Sequence, residues 1–148
     1  MKSEKVCVDA SLVVALFIPE RFSRAALDLW QKWMEQECQP VAPLLLQYEV
    51  TSAIYRKALQ GLIAREDERA MLEQSVKLDI DFVDSPSLSL RAAELAEHFQ
   101  RPNAYDAHYL ALAEHFDCAL WTGDERLYNA VHQEFGQVHW LGNRPVNA

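Results

Sequence analysis

Carboxylates at Asp9, Glu49, Asp106 and Asp124 are the side chains of this chain best placed to do chemistry. The stretch 104–128, AYDAHYLALAEHFDCALWTGDERLY, holds two of them. Asp106 opens a helix, and Asp124 lies just past Cys118 to Trp121, an apolar run that reads as a buried strand ending in a turn. Asp9 likewise closes the apolar strand Lys5 to Val8, and Glu49 sits in the interior of a helix, where no capping duty explains it. By its spacing with Leu110 and Ala113, Asp106 shares the apolar face of its helix, a costly position for a charge unless it is paired or binds a cation. Asp9 and Asp124 fall at the carboxyl ends of strands, the edge where open α/β sheets bind ligands. Two carboxylates about 4 Å apart repel by roughly 4 kcal/mol at an effective dielectric near about 20, so a cluster of acids cannot stay ionised without a cation or captured protons. Hard oxygen ligands favour magnesium or manganese over zinc, and such an ion activates water and neutralises a phosphate for in-line displacement.

Each acid also has a plainer reading. Asp9 and Asp124 can cap the helices that follow them, with Ser11 a rival cap for the first, and Asn103 with Asp106 resembles a capping box. Glu49 alone is an ordinary solvated glutamate. The functional reading therefore requires that the acids converge. Arg56 and Lys57, two turns beyond Glu49, are the best local basic pair for a phosphate backbone, or else simply exposed charges. The histidines show no zinc-protease pattern; His108 reads as a surface helix residue, Arg126 as solvated, and Asp79, Asp81 and Asp84 as solvated or capping.

The elements that must position these groups alternate between strand and helix. After the strand ending at Val8, Ser11 to Ile18 reads as a helix stopped by Pro19, and Phe22 to Glu37 as a helix whose stripe carries Trp30 and Trp33 into the core. Pro40 to Pro43 is at most a minimal strand. Helices follow at Leu44 to Leu62 and Arg65 to Lys77, then a half-buried strand at Ile80 to Val83. Pro86 falls in the first turn of the next helix, which packs through Leu90, Ala93, Leu95 and Ala96 to Phe99. Beyond the opening stretch come a helix to Glu134, a short strand Gln137 to Leu141 and a tail from Gly142 to Ala148. Strands alternating with helices imply right-handed parallel crossovers, and hence one α/β domain over residues 1–148 with helices on both faces of a central, mainly parallel sheet. One objection stands against convergence: in the simplest connection the helix opened by Asp106 starts at the edge opposite Asp9 and Asp124, unless it packs obliquely or begins at the carboxyl edge and returns.

The chain has 148 residues and a formal charge of −8, so it is no generic polyanion binder, and any nucleic-acid contact needs a local basic patch or a bound metal. Three cysteines, Cys7, Cys38 and Cys118, suit core fillers in a reducing compartment rather than a zinc site. The apolar stretch after Lys2 and Lys5 is interrupted by Asp9, lacks a cleavage site and is too short to span a membrane, so a soluble, cytoplasmic protein is expected. A phosphoacceptor receiver would need a lysine late in the chain, and none follows Lys77; a haloacid-dehalogenase-type phosphatase would want an aspartate where Ser11 stands.

Four patches, Val-Cys-Val-Asp9-Ala-Ser11, Leu46-Gln-Tyr-Glu49-Val, Tyr105-Asp106-Ala-His-Tyr-Leu-Ala-Leu-Ala-Glu114 and Leu120-Trp-Thr122-Gly-Asp124-Glu-Arg-Leu127, occur in order across essentially the whole chain. Together they resemble PIN-domain ribonucleases, and within that superfamily the toxin subunits of VapBC toxin–antitoxin pairs. The resemblance implies a three-layer α/β/α sandwich in which Asp9, Glu49, Asp106 and Asp124 converge on a pocket holding Mg²⁺ or Mn²⁺, with Thr122 and Ser11 as supporting hydroxyls. Where many relatives carry an asparagine three residues after the glutamate, this chain has Ser52. The activity implied is metal-dependent endoribonuclease cleavage that inhibits translation, with structured RNA such as transfer or ribosomal RNA as substrate. The implied partners are a second copy of the chain and a VapB-like antitoxin. The rival expectation is a non-catalytic PIN module that binds RNA or a protein.

Overall fold

A computed structural model describes residues 4–143; the anticipated tail beyond Asn143, like Lys2, lies outside the described residues. Strands β1 (Glu4–Val8), β2 (Cys38–Pro43), β3 (Asp81–Val83), β4 (Ala119–Thr122) and β5 (Val138–Trp140) form one five-stranded sheet in the order β3-β2-β1-β4-β5. Every pairing is parallel. Helices α1 (Ala10–Phe17), α2 (Ser23–Glu35), α3 (Leu45–Leu59), α4 (Arg65–Ser75), α5 (Leu88–His98), α6 (Tyr105–Phe116) and α7 (Glu125–Val131) flank it, and a 3₁₀ turn, Leu141–Asn143, follows β5. This is the anticipated α/β/α arrangement. A parallel sheet covered on both faces must present apolar residues to both, and Cys7, Val8, Ala42 and Leu120 are accordingly sealed from solvent. Trp30 and Trp33 meet edge to face at 6.0 Å within this core, as the stripe on α2 requires.

The strand least visible in the sequence is β2, which is buried along its whole length beside β1. Proline inside a central strand removes a ladder donor, which is why Pro40 and Pro43 obscured it. The sheet tolerates them because each has one strand neighbour: β3 pairs with β2 only from Val41 onward, leaving Pro40 beside β1 alone, and the β1 pairing ends at Val41, leaving Pro43 beside β3 alone. Helix α7 stops at Val131, short of Glu134, and α5 begins at Leu88 with Pro86 in the preceding turn. The anticipated capping box at α6 is absent: Asn103 Oδ1 accepts the Tyr105 N–H at 3.1 Å, and Asp106 takes no part.

The orientation of α6 removes the objection to convergence. The chain leaves α6 through Asp117, in the left-handed region at φ 50°, and turns directly into β4, with Cys118 N–H donating to Ala113 O at 3.0 Å. A helix that feeds a parallel strand so directly runs against it, ends at the amino edge and therefore starts at the carboxyl edge. Asp106 thus begins on the same edge as Asp9 and Asp124. Helix α3, which follows the carboxyl end of β2, brings Glu49 there in its second turn.

Candidate active site

Adjacent strands β1 and β4 pair Val8 with Trp121, so the residues just beyond them meet. Asp9 is 6% exposed and both its carboxylate oxygens are engaged. Oδ1 accepts the Ser11 hydroxyl at 2.6 Å and the Leu12 N–H at 3.2 Å, while Oδ2 accepts the hydroxyl of the fully buried Thr122. Each hydroxyl in turn accepts a backbone N–H from the turn after β4: Gly123 N–H donates to Ser11 Oγ at 2.8 Å, and Asp124 N–H to Thr122 Oγ1 at 2.9 Å. Ser11 and Thr122 therefore clamp the end of β1 to the end of β4. A side chain at position 123 would press on this clamp, since a Cβ there would stand 3.2 Å from Ser11 Oγ.

Loss of water pushes Asp9 up to about 6, with repulsion from Asp124 adding to the rise and the bonds from Ser11, Thr122 and Leu12 opposing it. The capping reading holds alongside the clamp. Asp9 caps α1, and Asp124 Oδ1 caps α7 by accepting the Arg126 and Leu127 N–H groups at 3.0 and 3.2 Å. One oxygen of Asp124 suffices for that duty.

Glu49 and Asp106 form the other half of the site. Glu49 Oε1 accepts the hydroxyl of Tyr109, which α6 presents one turn after Asp106. Burial raises Glu49 above the usual carboxylate range, and repulsion from Asp106 adds to it, while the Tyr109 bond and His108 act the other way. Burial and the neighbouring Glu49 charge push the Tyr109 phenol far up, so it remains a donor. Asp106 Oδ2 accepts from Arg101 Nη2 at 3.0 Å. Neither Tyr109 nor Arg101 was singled out from the sequence; Tyr109 was signalled only by standing one turn from Asp106 on a helix, and Arg101 by no pattern.

The acids thus couple in pairs, Asp9 with Asp124 and Glu49 with Asp106, and Tyr109, bonded to Glu49, also feels the charge of Asp9. Among the described residues no three acidic, histidine or cysteine side chains stand together as a ready cation cage. The chemistry of the donor set nevertheless fits a hard divalent ion. All four are carboxylates, and the two whose protons are held abnormally tightly, Asp9 and Glu49, are each repelled by another member.

Beside Glu49 and Ser11, a cleft of about 470 Å³ opens between α1 and α3, with Ser52, Arg56 and Lys57 on its α3 wall. Arg126 is exposed, as expected, and His108 is fixed between Ala104 O and the Ser89 hydroxyl.

This fold is that of a PIN domain. The PIN domain family matches residues 6–132, and the chain belongs to it. It is 30% identical to Ribonuclease VapC3 of Pyrobaculum aerophilum, over 83% of this chain and 92% of that protein. It is 34% identical to Ribonuclease VapC1 of Mycobacterium tuberculosis, over 84% and 89%. Among solved structures, the fold resembles that of a toxin–antitoxin complex from Klebsiella pneumoniae, with TM-score 0.66, 17% identity and coverage of 92% of this chain and 97% of that one. VapBC2 of Rickettsia felis bound to a promoter DNA fragment has TM-score 0.65, 9% identity and coverage of 92% and 96%. Those structural likenesses concern the fold alone.

Proposed function

We propose that this chain is a metal-dependent endoribonuclease, carried by one PIN-like domain and acting in the cytoplasm as the toxin of a VapBC-type toxin–antitoxin pair. The observation that carries the reading is the clamp of Ser11 and Thr122 on a buried Asp9 that Asp124 repels, at the sheet edge where α3 and α6 also bring Glu49 and Asp106 against each other. A fold gains nothing by burying one carboxylate near another, so the arrangement points to a ligand. Kinship with the VapC ribonucleases supplies the substrate class.

Asp9, Asp106 and Asp124 would hold Mg²⁺ or Mn²⁺, with Glu49 as a further ligand or as the base that takes the proton of the attacking water. The ion supplies Lewis-acid charge to the phosphoryl group and to the water nucleophile. The residues of the chain do the rest. Thr122 and Ser11 fix the direction of the Asp9 carboxylate, and Tyr109 fixes that of Glu49. Glu49, raised by burial, holds an abstracted proton better than an ordinary glutamate does. Arg56 and Lys57 on the cleft wall would bind the RNA backbone. No helix among the described residues is long and apolar enough to cross a membrane. The proposed partners are a VapB-like antitoxin and a second copy of this chain.

Cleavage of total cellular RNA by the purified protein in Mg²⁺ or Mn²⁺, beside an EDTA control and Asp9→Asn, tests the reading. Discrete products are expected, abolished by EDTA and lowered roughly a thousandfold by the substitution, the scale of about 4 kcal/mol of transition-state stabilisation. Sequencing the product ends would identify the RNA, transfer or ribosomal RNA being the expected class. Cleavage that survives Asp9→Asn would remove the quartet as the active site. A folded, antitoxin-free, metal-binding sample that cuts nothing would favour the non-catalytic PIN module.

A further inference from the structure

Arg101 lies in the turn between α5 and α6, and its backbone is held with unusual completeness. Helix α5 ends at His98 with Phe99 as its C-cap and Gln100 in the left-handed region at φ 54°. Gln100 N–H donates to Glu97 O at 3.1 Å, and Arg101 N–H donates to Ala96 O at 2.8 Å. This is a Schellman closure with glutamine at the position that usually takes glycine, and it gives Arg101, the residue after that glutamine, a fixed direction of departure.

The side chain that departs is poorly satisfied. Only 14% exposed, it spends one N–H on Asp106, while its Nε is buried without a hydrogen-bond partner among the described residues. Arg91 shows what an arginine of this chain does when it serves ion pairing alone. On the surface, it grips Glu114 with two arms, Nε to Oε1 at 2.7 Å and Nη2 to Oε2 at 2.9 Å. An arginine fork matches a carboxylate at two points, so a buried fork engaged at one point holds donors in reserve. Buried polar groups without partners are rare and expensive, so the ion pair with Asp106 does not by itself account for this arginine.

The ligand must be an anion that approaches Asp106. Among the described residues, Arg101 is the one lysine or arginine in ion-pair contact with the acidic quartet, and the chain as a whole carries a formal charge of −8. A polyanion drawn to such a site needs a fixed positive charge at the point of contact. On the ribonuclease reading above, we propose that Arg101 is a substrate-binding residue: with one arm it holds Asp106, and with its remaining donors it binds a backbone phosphate of the RNA at the cut.

The test is binding without cleavage. A fluorescein-labelled single-stranded RNA is titrated with the full-length protein in EDTA, over a series of salt concentrations, for wild type, Arg101→Met, Arg101→Lys and Arg91→Met. Arg101→Met is expected to weaken binding by about tenfold or more and to flatten the logarithmic salt dependence by about 0.7, the signature of one lost phosphate contact on a single strand. Arg101→Lys should keep the wild-type slope with a smaller loss of affinity, because it retains the charge and loses the fork. Arg91→Met should match wild type. If Arg101→Met unfolds, the affinity and slope of Arg101→Lys beside those of Arg91→Met carry the decision: unchanged affinity overturns the assignment, and reduced affinity at constant slope supports it. Wild-type affinity and slope in Arg101→Met, even with altered Mg²⁺ binding, would show that Arg101 only positions Asp106. An equal flattening by Arg91→Met would reduce the effect to bulk charge and overturn the assignment too. If wild type itself fails to bind RNA, the ribonuclease reading falls and the assignment falls with it, an outcome distinct from the failure of Arg101 alone.

Discussion

Buried under two hydroxyls and facing Asp124, Asp9 is pushed up to about 6 from an ordinary value of 3.8. In the metal-free protein this has a definite consequence for stability. The folded state holds the Asp9 proton more tightly than the unfolded chain, so the folded state is favoured while the group is protonated. The advantage is full below about pH 4 and is lost as the pH rises through about 6. With roughly 1.4 kcal/mol for each pH step between the two values, the ionised group costs about 3 kcal/mol at neutral pH. Asp9→Asn should therefore be more stable than wild type in EDTA at pH 7, by about 1–3 kcal/mol, because its amide lacks one acceptor for the Ser11 and Thr122 hydroxyls and returns part of the gain. The difference should shrink toward pH 4. Denaturant melts at both pH values check it, and an Asp9→Asn protein less stable than wild type at pH 7 would mean that the clamp, not the charge, dominates at this position.

At the scale of elements, the site is assembled by strand ends and helix starts, and its legibility in the sequence divides along that line. Asp9 and Asp124 were readable because a short apolar run closing on an acid marks the end of a buried strand, and β1 and β4 are such runs. Glu49 stood out because a helix interior offers it no capping role. Asp106 was readable as a residue but open as a position, since the edge at which α6 starts depends on how tightly Asp117 turns it into β4. Strand β2 was obscured by its prolines. Tyr109 and Arg101 were invisible for a different reason: each acts through a side-chain contact that no periodicity encodes, Tyr109 with Glu49 sixty positions away in the chain and Arg101 with Asp106. The turn before Arg101 carries its own prediction. Gln100 holds a left-handed conformation that costs a non-glycine residue roughly 1 kcal/mol. Gln100→Gly should relieve most of that cost and raise stability by up to about 1 kcal/mol, less the extra freedom gained by the unfolded chain. Thermal melts should show a small upward shift with RNA binding unchanged. A marked loss would mean that the Gln100 side chain contributes a contact of its own.

At the scale of the molecule, α3 carries an exposed apolar stripe, with Arg65 over its Tyr55 ring. Tyr48, Tyr55 and Leu59 follow one stripe of α3 at helical spacing, with Leu62 just beyond it, and they are 64%, 47%, 62% and 64% exposed. Aromatic and aliphatic residues so arranged form a patch rather than the scattered exposure that any soluble protein tolerates, and they match the anchors of protein interfaces. The stripe is also tied to the site. By the period of the helix, Ser52 and Arg56 stand beside it and turn toward the cleft that holds Glu49. A second copy seated there would cover the apolar stripe and wall the cleft, extending a surface for RNA that one acidic chain builds only in part. On the proposal that a second copy binds there, Leu59→Glu places a charge on the stripe and should shift sedimentation at micromolar concentration from dimer to monomer. Leu90→Glu, on α5 at a position that the helical spacing assigns to the core but that faces solvent at 74% exposure, should leave the assembly unchanged. A monomeric wild type would exclude self-association through this face and leave the antitoxin as its occupant. Loss of dimer in both variants would trace the effect to added negative charge on a chain already at −8.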